Sequence, residues 1–337
     1  MDVCLYSGRI IAVHRDAYRV TTEIGERTGV LAGRFRHEAT RHSDLPAVGD
    51  YVCVRLPDGD GAAVVEAVVP RKTVFMRRAA GDRPDDQVIA ANIDVVFVML
   101  ALDHDFNVRR VERYLAAIWE GGATPVVLLN KADLCDDVET KLDAVRAVAI
   151  GVEVHVMSAL TAQGVETIQP YLRQGVTTGF VGSSGVGKST LLNRLLGRDV
   201  QATRAVREHD SRGRHTTTHR ELFVLPGGAS VIDTPGMREF KLGDDGAGIE
   251  SVFADIEALA VECRFDDCAH GSEPGCAVRE AIARGQLDAA RLVSYEKLLR
   301  ELRYQESRED PSAALDRKRR DRQGARAVRA AKAIKGR

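Results

Sequence analysis

Residues 182–189 read Gly-Ser-Ser-Gly-Val-Gly-Lys-Ser, and no other segment restricts the fold as strongly. The pattern G-x-x-x-x-G-K-S is a phosphate-cradling loop. Its glycines let the backbone wrap closely enough for consecutive N–H groups to face phosphate oxygens at the start of a helix. Such a loop works only between a buried strand and a helix, and the flanks comply. Thr178 to Val181 is a short apolar run, and Lys188 to Leu196 has helical periodicity. The expected phosphate contacts are Gly182, Ser183, Ser184, Gly185, Val186, Gly187 and Lys188, with Thr190 completing the stretch and Ser189 binding Mg²⁺.

The surrounding sequence supports an α/β sheet. Further buried strands are expected at Val95 to Leu100, Pro125 to Leu129, Glu153 to Met157, Glu221 to Leu225 and Ser230 to Ile232. Helical patterns fall at Val108 to Glu120, Val138 to Ile150 and Val165 to Leu172. Alternation of this kind predicts a mostly parallel sheet covered on both faces, with ligands at the carboxyl ends of its strands.

Three further motifs sit at strand ends. Asn130-Lys131-Ala132-Asp133 fits N-K-x-D. The Asp133 carboxylate can accept from guanine N1–H and the exocyclic amine, a pair of donors adenine lacks. Lys131 would lie along the base plane and Asn130 would tie this loop to the phosphate loop. Ser158-Ala159 would direct a backbone N–H at guanine O6. Asp233-Thr-Pro-Gly236 fits D-x-x-G, with Asp233 holding Mg²⁺ through water and the Gly236 N–H sensing the γ-phosphate. The bound nucleotide is therefore expected to be GTP. The motif order is Asn130 to Asp133, Ser158-Ala159, Gly182 to Ser189, Asp233 to Gly236, so the base-reading loops precede the phosphate loop. The domain is circularly permuted.

Outside this domain the texture changes. Residues 1–75 hold five short β-type runs rich in Val, Ile and Thr without an intervening helix, which predicts a small barrel of OB type. Residues 76–91 read as a polar linker. After the GTPase domain, 92–242, strands cease, and a helical segment, 243–310, carries Cys263-x4-Cys268-x-His270-x5-Cys276. Three thiolates and an imidazole suit one tetrahedral, structural Zn²⁺ with no open coordination position. Residues 311–337 form a basic tail. From Asp316 onward ten Lys and Arg face only Asp316 and Asp321, although the whole chain has a net charge of −1. A basic tail on an acidic body points to a polyanionic partner such as RNA. No apolar run approaches the roughly 18–20 residues that a membrane span requires, and no secretory signal is visible, so the expected compartment is the cytoplasm.

With these motifs in this order, the chain closely resembles the ribosome small-subunit-dependent GTPases of the RsgA (YjeQ) family. The likeness extends to Gly213-Arg-His-Thr-Thr-Thr218 and Cys263 to Cys276. It implies an OB barrel, a permuted GTPase domain and a C-terminal zinc domain. It also implies a monomer that hydrolyses GTP late in small-subunit maturation, binds rRNA and is stimulated by the subunit. Gly213 to Thr218 falls where the first switch should lie, with Thr217, then Thr216, expected to join Mg²⁺ and the γ-phosphate. Many GTPases place a water-orienting Gln directly after D-x-x-G, but here that position is Met237. The resemblance points to His215 as the substitute, with His219 the alternative.

Overall fold

The computed structural model describes residues 6–14, 17–57, 61–78, 86–199, 220–233 and 246–309. They divide into two compact units, residues 1–241 with 250–252, and residues 242–249 with 253–337.

The first unit begins with β1 (Tyr6–His14), β2 (Ala17–Thr22), β3 (Gly25–Leu31), α1 (Gly33–Glu38), β4 (Tyr51–Arg55) and β5 (Ala63–Val68). Their pairing order is β1-β2-β3-β5-β4, closed by β4 on β1. The β3–β5 pair is parallel and the others are antiparallel. This is a closed five-stranded barrel of the expected kind. Period-2 alternation builds its interior from Ile10, Tyr18, Val20, Val52, Val54 and Val65. The segment expected as a linker behaves otherwise. Across it, β6 (Val74–Arg78), which begins two residues before the expected boundary, pairs antiparallel with β7 (Asp86–Ala91). Val88, Ile89, Ala90 and Ala91 of β7 are buried. Charged and polar residues where the two strands face each other, Arg77, Arg78, Asp86 and Gln87, concealed the strands.

The permuted domain adds β8 (Val95–Ala101), α2 (Val108–Glu120), β9 (Thr124–Asn130), α3 (Val138–Arg146), β10 (Val154–Val156), β11 (Thr177–Gly182), α4 (Lys188–Leu196), β12 (Glu221–Val224) and β13 (Ser230–Asp233). Strands β10, β9, β8, β11 and β13 are parallel neighbours in that order, and β12 runs antiparallel to β13. The central strands are buried on both faces, which is why they read as unbroken apolar runs. The core joins Phe97, Met99, Leu128, Phe180, Leu191 and Val231, and the rings of Phe97 and Phe180 stack at 5.6 Å. Truncating either ring to Ala would cost about 3–5 kcal/mol. Residues 165–171 form a 3-10 helix rather than an α-helix, with Pro170 inside it. Proline supplies no N–H, which favours the tighter, shorter form.

Barrel and GTPase strands form one eleven-stranded sheet, because β1 meets β12 at Ala12 and Glu221. Arg9 reinforces the junction by donating to Thr177 Oγ1 (2.6 Å) and lying over the Tyr51 ring. Asp50, fully buried, receives both arms of the Arg71 guanidinium at 2.9 and 2.8 Å.

The second unit is helical among its described residues: α5 (Ala247–Val252), which ends in the first unit, α6 (Ala254–Ala260), α7 (Ala277–Ala283) and α8 (Ala289–Glu309). Arg291 of α8 binds Asp255 of α6 through two bonds of 2.7 and 2.8 Å and lies over the Phe253 ring. Among the described residues no helix is long and apolar enough to cross a membrane.

Candidate functional site

Three loops converge at the carboxyl ends of β9, β10 and β11. The phosphate loop leaves β11 and enters α4 at Lys188. Its curvature depends on left-handed glycines, and Gly187 at φ +107° is the tightest case. A Cβ there would lie 2.2 Å from Asn130 Nδ2, so glycine is required both by the turn and by its neighbour. Lys188 Nζ donates to the carbonyls of Gly182 (2.8 Å) and Ser183 (2.6 Å), which holds the ammonium within the loop's own curve.

Asn130, the last residue of β9, is buried and joins the other two loops. Its Nδ2 donates to the Val186 carbonyl at 2.7 Å, and its Oδ1 accepts from the Ala159 N–H at 2.8 Å. One amide therefore fixes the spacing between the phosphate loop, the N-K-x-D loop and the Ser158-Ala159 loop. Lys131 adopts φ +65°, uncommon for a residue with a Cβ, and Asp133 is exposed in the following 3-10 turn.

The Ser158-Ala159 loop differs from expectation. The Ser158 N–H donates to the Gln163 carbonyl and the Ala159 N–H is committed to Asn130. Neither amide points to a free acceptor, because a loop this tight satisfies its own buried donors first. The hydroxyl of Ser158 accepts from Thr161 N–H at 3.1 Å. Arg194 of α4 clamps the carbonyls of Ala159 and Leu160 at 2.8 and 2.7 Å.

A fourth element belongs to none of the sequence motifs. The turn after β8 carries Asp103 and Asp105. Asp103 binds Lys131 Nζ at 2.7 Å and accepts from the Asp105 N–H at 2.9 Å. Burial pushes its carboxyl upward, but the Lys131 bond and the Asp105 amide outweigh it and hold the group below the usual carboxylate range. Asp105 receives two bonds from Arg110 (2.8 and 2.9 Å) and one from the Ser183 hydroxyl. Arg110 is the main reason its pKa falls to about 2, against the opposing effect of burial, with Ser183 adding to the fall. A cavity of about 550 Å³ opens between Ser183 to Val186, Lys131, Asp103 to Asp105 and Arg110. Two aspartates one residue apart at a strand's carboxyl end were the available signal, because that is where such sheets bind ligands.

Asp233 ends β13, parallel to and beside β11, and so stands at the same edge as Ser189. His215, Thr216, Thr217, His219 and Gly236 lie outside the described residues, as does the basic tail.

In the second unit, Cys263, Cys268, His270 and Cys276 bring their ligand atoms within 4.8 Å of one another. Cys263 Sγ is 3.9 Å from Cys276 Sγ and 3.7 Å from His270 Nδ1, and Cys276 Sγ is 3.5 Å from that nitrogen. Zinc–sulfur and zinc–nitrogen bonds at a tetrahedral angle demand separations of about 3.8 and 3.6 Å, so the donor set fits such an ion. Arg279 Nε holds the His270 carbonyl at 2.8 Å.

Comparison with known proteins follows the same lines. Residues 68–243 match the family profile described as RsgA GTPase. A protein of Lactiplantibacillus plantarum, "Small ribosomal subunit biogenesis GTPase RsgA 2", is 52% identical over 300 residues, covering 88% of this chain and 84% of its own. Its counterpart in Opitutus terrae is 48% identical over 315 residues, covering 91% and 86%. Among solved structures, YjeQ from Thermotoga maritima aligns with a TM-score of 0.64 at 26% identity, over 88% of this chain and 98% of that one. YloQ, described as a circularly permuted GTPase, aligns at 0.61 and 26%, over 88% and 94%.

Proposed function

The chain belongs to the RsgA GTPase family, and from that premise we propose that it hydrolyses GTP to GDP and phosphate to time a binding event in small (30S) ribosomal subunit maturation. The observation that carries the reading is Asn130, whose single amide holds the base-reading and phosphate loops at one spacing in a permuted chain. A nucleotide whose base and phosphates must be read together is what such a link serves.

Within this reading Asp133 selects guanine and Lys131, steadied by Asp103, flanks the base. The phosphate loop binds the β- and γ-phosphates through its N–H groups and Lys188. Ser189 and Asp233 would hold Mg²⁺, which neutralises charge on those oxygens. Water attacks the γ-phosphorus in line as the bond to the β-phosphate oxygen breaks. His215 orients that water, and Thr217 would help hold Mg²⁺ in the triphosphate state. The cysteine cluster fits one structural Zn²⁺ that staples the helical unit. The partner is the small subunit and its rRNA, reached in the cytoplasm by a monomer.

The β1–β12 pairing supports coupling between RNA contact and turnover. Strand β12 starts at Glu221, four residues after Thr217, so a barrel docked on RNA holds the strand that leaves the first switch. Turnover measured with purified small subunits, large subunits and free RNA tests the proposal. Small subunits should accelerate hydrolysis well beyond the other two. His215→Ala should keep GTP affinity and lose most of the stimulated rate, because it removes a transition-state contact. Equal stimulation by large subunits, or none by either, would overturn the assignment.

A further inference from the structure

The Asp105 carboxylate serves neither the sheet nor the core. It is half-buried at the mouth of the nucleotide cavity, yet it is bound on three sides. Arg110, in the first turn of α2, grips both oxygens, and the Ser183 hydroxyl donates to one of them. Asp103, two residues earlier, fixes the turn by accepting from the Asp105 N–H. Ser183 follows Gly182, whose φ of +148° is open to few residues other than glycine. Glycines at 182 and 185 flank the two serines of this arm of the phosphate loop, and glycine-rich segments lose the most entropy when ordered.

We infer that Asp105 is a positioning residue for the phosphate loop, acting through Ser183 to hold the loop's first arm in its phosphate-binding shape before nucleotide arrives. This rests on the GTP-binding reading above. Arg110 aims the carboxylate, the carboxylate pins the hydroxyl, and the pinned hydroxyl fixes the backbone on either side of it. Binding then no longer bears the full cost of ordering that arm. The carboxylate is itself an anion beside a phosphate site, so its neutralisation by Arg110 is part of the arrangement: a bare carboxylate there would repel the ligand.

The test is a double-mutant cycle read as equilibrium affinity for fluorescent GDP and GTP, with the steady-state kcat recorded alongside. Asp105→Ala and Ser183→Ala should each weaken both nucleotides about tenfold, equivalent to about 1.4 kcal/mol, with a larger proportional loss in affinity than in kcat. The double variant should also be weaker by about tenfold rather than a hundredfold, because both changes break one link. Arg110→Gln should follow Asp105→Ala in sign. Thermal melting of each variant separates loss of fold from loss of positioning. A variant that melts like wild type yet binds like wild type overturns the inference, as does strict additivity in the cycle. Wild-type protein that binds no guanine nucleotide would instead sink the reading beneath it.

Discussion

Replacing Asn130 with Ala removes one side chain and separates three loops. The amide is 2 % exposed, and the groups it satisfies, the Val186 carbonyl and the Ala159 N–H, belong to residues that are each 1 % exposed. Neither can turn to water without moving its loop. Each buried polar group left without a partner costs about 1–3 kcal/mol, so the pair sets a loss of about 2–6 kcal/mol. Part of that would be relieved by the loops parting, which transfers the cost to nucleotide binding. We expect a clear fall in the melting midpoint of the first unit and GDP binding roughly a hundredfold weaker, equivalent to about 2.8 kcal/mol. Asn130→Asp sharpens the test. It keeps an acceptor for Ala159 but sets a second oxygen against the Val186 carbonyl at the present 2.7 Å. Burial and that carbonyl raise the new carboxyl's pKa above its unfolded value of about 3.9. The protonated form can donate to Val186, so the variant's loss of stability relative to wild type should be smallest below pH about 4 and grow as pH rises through the raised value. Melting curves across pH, with fluorescent GDP titrations at neutral pH, provide the measurement. If Asn130→Ala melts and binds like wild type, or if Asn130→Asp shows no added pH dependence, the bridging argument is refuted.

Two other outcomes bear on base choice and metal. Asp133→Asn should weaken GTP and strengthen xanthosine triphosphate, because xanthine presents a carbonyl where guanine presents its amine; competition binding with both nucleotides decides it, and unchanged preference would remove Asp133 from the base site. Cys263→Ser or His270→Ala should release bound zinc and unfold the helical unit while GDP affinity holds, since the four ligands lie within that unit; elemental analysis alongside circular dichroism provides the check, and a metal-free protein that keeps its full helix content would contradict the assignment.

Much of this was legible in one dimension. Gly182 to Ser189, Asn130 to Asp133 and Cys263 to Cys276 are motifs because their chemistry needs particular residues a few positions apart, and spacing along a chain is visible without a fold. The central strands announced themselves for a related reason: burial on both faces leaves unbroken apolar runs such as Val95 to Ala101. Strands β6 and β7 did not, because Arg77, Arg78, Asp86 and Gln87 cut their apolar residues short.

What distant pairing decides stayed hidden. Whereas the Asn130 link to the phosphate loop was legible in its motif, Asp105 and Ser183 are 78 residues apart, and no local pattern in the sequence marks that pair. The same holds for the junction of barrel and sheet, where Ala12 meets Glu221. The Ser158-Ala159 loop makes the point at closest range. Its residue types suggested amides aimed at a base, whereas Gln163 and Asn130 claimed those amides in the folded chain. Residue identity sets which hydrogen bonds a group can make. Only the approach of other segments, driven by burial of the apolar surface between them, decides which of those bonds form.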